Sequence, residues 1–150
     1  MHRKVQLIVS GGIRSGADVA KAMAMGADAV SIGSAAMIAL NCNADMYPED
    51  YEKLGTAAGY CHHCHTGKCP VGVATQDPEL EKRLEPELAG KRVKNYLATL
   101  TLELQTLARA NGKSDVRNLE PEDLAALTVE AAAMARVPLA GTNWIPGHEL

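Results

Sequence analysis

Apolar and polar positions follow two rhythms along the first third of the chain. Val5 to Val9, "VQLIV", is a short, mostly apolar run that ends at "SGG", as a buried parallel strand would. In "SGADVAKAMAMGADAV" the period lengthens. Val19, Ala20, Met23 and Ala24 share one face of a helix over about Ala17 to Met25, and Gly26 stands where a left-handed residue would end it. A second strand, Ala29 to Ile32, and a short helix in "SAAMIAL" follow. Strand, helix, strand, helix in under 40 residues is a βαβα unit, with a right-handed crossover expected.

The pattern then breaks. Cys42 to Gly59 is polar, carries Pro48 and two tyrosines, and reads as a connecting loop or irregular insert. Helical periodicity returns in "KRVKNYLATLTLELQTLARANG", where Val93, Tyr96, Leu97, Leu100, Leu104, Leu107 and Ala108 recur every 3.6 residues and Gly112 supplies a stop. "NLEPEDLAALTVEAAAMARV" predicts another helix, with Pro121 near its first turn and Glu122 and Asp123 suiting the positive end of the helix dipole. The tail "PLAGTNWIPGHEL" predicts irregular structure.

Composition narrows the function classes. The 150 residues suffice for one domain or a piece of one, and a chain of that size buries roughly 70% of its unfolded surface. A net charge of -3, with Lys and Arg scattered among acids, gives no field for nucleic acid or anionic lipid. The apolar run behind the basic N-terminus is too short for a signal peptide or a membrane span, so a cytoplasmic protein is expected. In that compartment thiols stay reduced, and four cysteines read better as metal or cluster ligands than as disulfides.

Two stretches carry candidate chemistry. "SGGIRSG", between strand and helix, offers backbone amides to an anion, and Gly11 and Gly12 let the backbone approach closely where a Cβ would obstruct. Arg14 adds a side-chain donor, and "SIGSA" repeats the arrangement at the next strand end with Gly33 and Ser34. Two consecutive glycine-bearing strand ends match the phosphate site that (β/α) barrels build after their last two strands. The second stretch is "CHHCHTGKC", three cysteines and three histidines in the nine positions from Cys61 to Cys69. By spacing alone an iron-sulfur cluster and zinc both fit. Cys-x2-Cys with nearby His is ordinary zinc chemistry, while Cys69-Pro70 is a habit of cluster loops and no second Cys-x2-Cys pair is present.

"CHTGKCPVGVATQ" resembles the iron-sulfur loop of the glutamate synthase FMN domain, which follows directly on the phosphate-binding end of a barrel. The preceding "SGGIRSGADVAKAMAMGADAVSIGSA" is similar to the last βαβα of many phosphate-binding barrels, and "RVKNYLATLTLELQTLA" falls where that family has a helix. The resemblance covers about Val5 to Ala110. Beyond Ala110 the chain looks more like shorter, separately encoded glutamate-synthase-like proteins.

The resemblance implies an α/β fold: the C-terminal two βα units of a (β/α)8 barrel, then a cysteine-rich cluster loop and C-terminal helices. The corresponding segments are a phosphate-binding βαβα over residues 1–41, a cluster loop over 42–78 and a helical region over 79–150. It implies FMN bound by Gly11, Gly12, Arg14, Gly33 and Ser34, and an iron-sulfur cluster held by Cys61, Cys64 and Cys69. The family's three cluster cysteines are separated by five and then four residues, whereas here the intervals are two and four, which puts Ala58 where the first would stand. Cys61 takes over that ligand, or Cys42 joins to make four, so both a 3Fe-4S and a 4Fe-4S cluster are open. His62, His63 and His65 would shape the loop and tune the cluster.

In the family, reduced FMN delivers hydride to 2-iminoglutarate formed from 2-oxoglutarate and ammonia. A related branch makes N-methylglutamate from methylamine, and "ALNCNAD" and "GYCHHCHTGKCP" look similar to that branch. No residue stands out as a catalytic acid or base. A complete barrel needs about 250 residues, so the partner implied is the remainder of the barrel or another glutamate-synthase-like subunit. The alternatives of another class are a cluster-binding electron-transfer module without flavin and a zinc-stabilised interaction module.

Overall fold

The computed structural model of the chain describes residues 5–148; the basic residues ahead of Val5 lie outside them. The architecture is mixed α/β and falls into two units, one made of the residues up to Ile32 together with Thr99 onward, the other of Gly33–Ala98.

In the first unit, β1 (Ile8–Ser10) and β2 (Ala29–Ser31) pair in parallel, Ile8 opposite Ala29 and Ser10 opposite Ser31, with α1 (Gly16–Ala24) as the crossover. Ser15 caps α1 through a capping box, accepting from the Asp18 amide while the Asp18 carboxylate accepts from the Ser15 amide. Gly26 (φ 102°) ends the helix as expected. Val19, Ala20 and Ala24 are buried, and the helix packs on the turns Val116–Asn118 and Pro121–Asp123.

β1 departs from expectation. A strand buried on both faces was expected over Val5 to Val9; the observed strand is shorter, and Leu7 and Ile8 are exposed. The reason is that the sheet has two strands among the described residues, so Val9 and Val30 are half-buried while the other faces and both outer edges lie bare.

The long helix α5 runs over Pro86–Ala110, and its residues from Thr99 onward belong to this unit. Leu100, Leu104 and Ala108 are buried with Leu107 half-buried, as the period predicts, whereas Leu97, expected on the same stripe, is exposed, and the chain turns off at Gly112. Gly16 lies hard against this helix. A Cβ there would stand 2.5 Å from the Leu100 carbonyl oxygen and 2.5 Å from the Leu104 amide nitrogen, both backbone atoms that cannot swing aside. Gly16→Ala therefore forces α1 and the end of α5 apart, at a cost of about 1–3 kcal/mol. A melting temperature unchanged from wild type would show that the contact is looser than it stands.

The C-terminal helix is shorter than its pattern suggests. Pro121–Asp123 is one 3₁₀ turn, held by Lys113, which pairs with Glu120 and, at 3.4 Å, with Asp123. Leu124 is extended, and Ala126 spends its backbone groups on Pro138 and Ala140, 2.8 Å each, in a parallel bridge to Leu139. A residue so engaged cannot continue a helix. α6 (Val129–Ala135) begins only after Thr128, whose hydroxyl accepts from the Ala131 amide. Ala126, Ala132 and Val137 close a small core there.

The second unit holds α2 (Ser34–Ala39), α3 (Pro48–Lys53), a 3₁₀ turn at Cys64–Thr66, α4 (Pro78–Glu81) and the first part of α5. α3 lies inside the stretch expected to be a loop. Pro48 at its start, Glu49 and Asp50 in its first turn and Lys53 in its last are ordinary helix signals compressed into six residues. Its Tyr51 is the centre of the unit's core with Cys69 and Val71. No helix among the described residues is long and apolar enough to cross a membrane.

Candidate functional site

The cysteine loop is tied to the rest of its unit by three groups of contacts. Asn43 grips Cys61 from across eighteen residues: its side-chain oxygen accepts from the Cys61 amide at 3.0 Å and its amide nitrogen donates to the Cys61 carbonyl at 3.4 Å. Arg83 donates to both the Asp50 carboxylate and the Pro70 carbonyl at 2.7 Å, and its guanidinium lies 4.1 Å from the centre of the Tyr47 ring. Thr75 donates from its hydroxyl to the Gly67 carbonyl, and the same hydroxyl accepts from the Asp77 amide at the start of α4. Together these join α3, the loop and α4.

Asp50 also takes Lys53 at 2.9 Å, and that bond first, with Arg83 second, holds its carboxyl below the ordinary 3.8. A depressed carboxyl stabilises the fold above its unfolded value and loses that contribution as pH falls through the folded one. Wild type should therefore melt above Asp50→Asn at neutral pH, and the gap should close as pH drops below 3.8. A gap independent of pH across that range would remove the charge from the explanation.

Inside this frame sit all four thiols, none in a disulfide: Cys69 buried, Cys42 and Cys61 half-buried, Cys64 exposed. Cys61 and Cys69 pack with Tyr51. Cys42, which the spacing left undecided, stands between two left-handed asparagines, Asn41 (φ 86°) and Asn43 (φ 64°), the second of which is the residue that holds Cys61. Burial pushes the Cys42 thiol up, and negative charge at Cys69, Cys64 and Cys61 adds to the push. Cys42 therefore lies within electrostatic reach of the other three sulfurs. Among the described residues, no three His, Cys, Asp or Glu side chains are drawn tight enough to hold a metal ion.

Tyr51 completes the site. It is 1% exposed, and its hydroxyl is buried with no hydrogen-bond partner. Burial first, then Cys61, Cys42 and Cys69, push the phenol up to about 12. The histidines lie outside this shell. His62 and His63 stack at 4.6 Å between ring centres and His63 and His65 at 6.1 Å, while the His62 ring nitrogen meets the Tyr60 carbonyl.

In the first unit, Gly11 (φ 102°) and Gly12 (φ 71°) adopt the left-handed backbone, and both strands end at the same side of the sheet. The amides of the helix start are otherwise engaged. Those of Arg14 and Ser15 donate to Asp18 at 3.1 Å, and that of Gly16 donates to Glu103 at 2.7 Å. These bonds hold the Asp18 carboxyl below its ordinary value, the Arg14 amide first. In the second unit, Gly33 caps α2 without a side chain and Ser34 is its first residue.

Sequence reasoning missed Tyr51, Asn43 and Arg83. The Asn-Cys-Asn triplet was the available sign for Asn43, since asparagine tolerates the left-handed region better than other side chains. Nothing local marks the other two.

The conserved region of glutamate synthase matches residues 1–114. The chain is 66% identical over 147 residues, 98% of its length, to a glutamate synthase large subunit-like protein of Rhizobium meliloti (strain 1021), of which it spans 33%. It is 43% identical over 119 residues to an archaeal glutamate synthase [NADPH] of Methanocaldococcus jannaschii, covering 79% of this chain and 20% of that protein. To the chloroplastic ferredoxin-dependent glutamate synthase of Oryza sativa subsp. japonica it is 39% identical over 109 residues, covering 73% of this chain and 6% of that protein. The chain thus spans a third or less of these relatives. No solved structure matches it significantly.

Proposed function

The chain belongs to the glutamate synthase family, and from that premise we propose that it forms the FMN-phosphate and iron-sulfur portion of an oxidoreductase that reduces 2-iminoglutarate to glutamate. The observation that carries the proposal is the gathering of four thiols outside any disulfide in one unit, with Cys61 and Cys69 packed on a tyrosine whose buried hydroxyl has no partner. Four thiolates suit an iron-sulfur cluster. The Cys69-Pro70 pair and the lack of a second Cys-x2-Cys favour that cluster over zinc.

The donor set for the cluster is Cys61, Cys64 and Cys69, with Cys42 as fourth ligand on the strength of the Asn43 bridge. When bound, the cluster passes single electrons and FMN passes hydride, and the protein's part is to hold and orient both. Arg83 and Asn43 fix the loop that bears the ligands. Gly11, Gly12, Arg14, Gly33 and Ser34 are the residues proposed for the FMN phosphate, an assignment that rests on the sequence pattern. The bare faces of β1 and β2 favour cover by the remaining strands of a barrel, the proposed partner.

Anaerobic purification followed by iron, acid-labile sulfide and zinc analysis tests the proposal. Iron with matching sulfide is expected. Zinc without iron would replace it with the interaction-module reading. The chain alone should retain FMN weakly and gain it on co-expression with the preceding strands; cluster absorbance with no flavin even then would favour a pure electron-transfer module. Assays of that assembly with ammonia and with methylamine identify the amine.

A further inference from the structure

Tyr51 has no evident structural reason for its hydroxyl. The ring is 1% exposed in the core of its unit, and a Phe ring would fill nearly the same space without the penalty of burying an unpartnered polar group. The apolar side chains packed in that core include Tyr47 and the Cys61 and Cys69 thiols. Tyr47 lies under the Arg83 guanidinium. The Cys61 and Cys69 sulfurs, packed on the Tyr51 ring, are the candidate acceptors for its hydroxyl.

We infer that the Tyr51 hydroxyl donates a hydrogen bond to a sulfur of the group that the surrounding cysteines hold, and thereby raises the reduction potential of that group. The inference rests on the iron-sulfur reading above. A neutral thiol is a poor acceptor, which fits the bond being unmade here. Iron binding converts thiols to thiolates and brings sulfides, and both accept far better. Hydrogen bonds to cluster sulfurs are one of the terms that set cluster potentials, because they favour the more negative, reduced state. Tyr51 is on this account a positioning and tuning residue, not a ligand.

Tyr51→Phe in the full chain, reconstituted anaerobically with iron and sulfide, separates the possibilities. Iron and sulfide content should match wild type. The one-electron reduction equilibrium should move about tenfold toward the oxidised form, a midpoint about 59 mV lower. The metal-free variant should melt at or above the metal-free wild type, since an unpartnered hydroxyl has been removed, and the reconstituted variant should melt below reconstituted wild type. Equal midpoint potentials in two iron-loaded proteins would overturn the inference and leave the cluster standing. A folded variant that loses its iron while wild type keeps it would also overturn the inference, because the hydroxyl would then be needed for assembly rather than tuning. Absence of iron from wild type itself would overturn both the cluster and the role of Tyr51.

Discussion

Cys69→Ser is expected to abolish iron binding and the visible absorbance of the reconstituted chain, and Cys42→Ser tests whether a fourth thiolate takes part. Cys69 is the most buried of the four thiols and packs directly on Tyr51 and Val71. An oxygen in place of its sulfur gives a poorer ligand for a soft, thiolate-held cluster. Cys42 is the informative case because it lies outside the crowded motif and still feels Cys61, Cys64 and Cys69 electrostatically. If four thiolates hold the group, Cys42→Ser removes one ligand and leaves at most a three-iron species, visible as a lower iron-to-protein ratio. If three suffice, its iron content equals wild type. Cys64→Ser, at an exposed position, guards against mistaking a packing defect for ligand loss. Metal-free melting temperatures of all three variants supply the same control, and iron content unchanged in Cys69→Ser would sink the ligand assignment.

What the sequence made readable was local. The stripe of Leu100, Leu104 and Ala108 and the stops at Gly26 and Gly112 are each written within one or two helical turns, and the structure has them where the periods put them. The Gly11-Gly12 turn was readable for the same reason. The contacts that frame the thiols are not local: Asn43 reaches eighteen residues to Cys61, and Arg83 reaches thirty-three to Asp50. No periodicity encodes such a reach. α3 was hidden because six residues are too few to show a helical period, and its single buried face is one tyrosine. In "EPEDLAALTVEAAAMA" the opposite error arose. A continuous apolar-polar pattern concealed a break that is imposed by the backbone bridge of Ala126 to the chain around Leu139. The exposure of β1 is a third case, since an apolar run states that a strand should be covered without saying by what.

Gly72→Ala should be the most damaging of the glycine substitutions in the cysteine unit, for both stability and cluster retention. The residue follows Cys69-Pro70-Val71 and has φ 77°, a left-handed backbone that costs a residue with a Cβ about 1–2 kcal/mol. Space is the larger obstacle. The added Cβ would lie 2.3 Å from the Leu80 carbonyl oxygen, 3.1 Å from the Leu84 amide and 3.4 Å from the Arg83 Cβ. Two of those atoms are backbone, so the loop must lift away from the α4 segment, an overpacking cost of about 1–3 kcal/mol more. The lift also pulls the Pro70 carbonyl from Arg83, the contact that fixes the chain next to Cys69. Against a typical domain stability of about 5–15 kcal/mol, a loss of roughly 2–5 kcal/mol lowers the melting temperature sharply and loosens one cluster ligand. Gly67 is the built-in control: it too is left-handed, at φ 71°, but an added Cβ there meets nothing within 4 Å. Gly67→Ala should show the conformational cost alone and keep its iron. If the two variants melt together and retain equal iron, the close approach of Gly72 to Leu80 does not hold the loop.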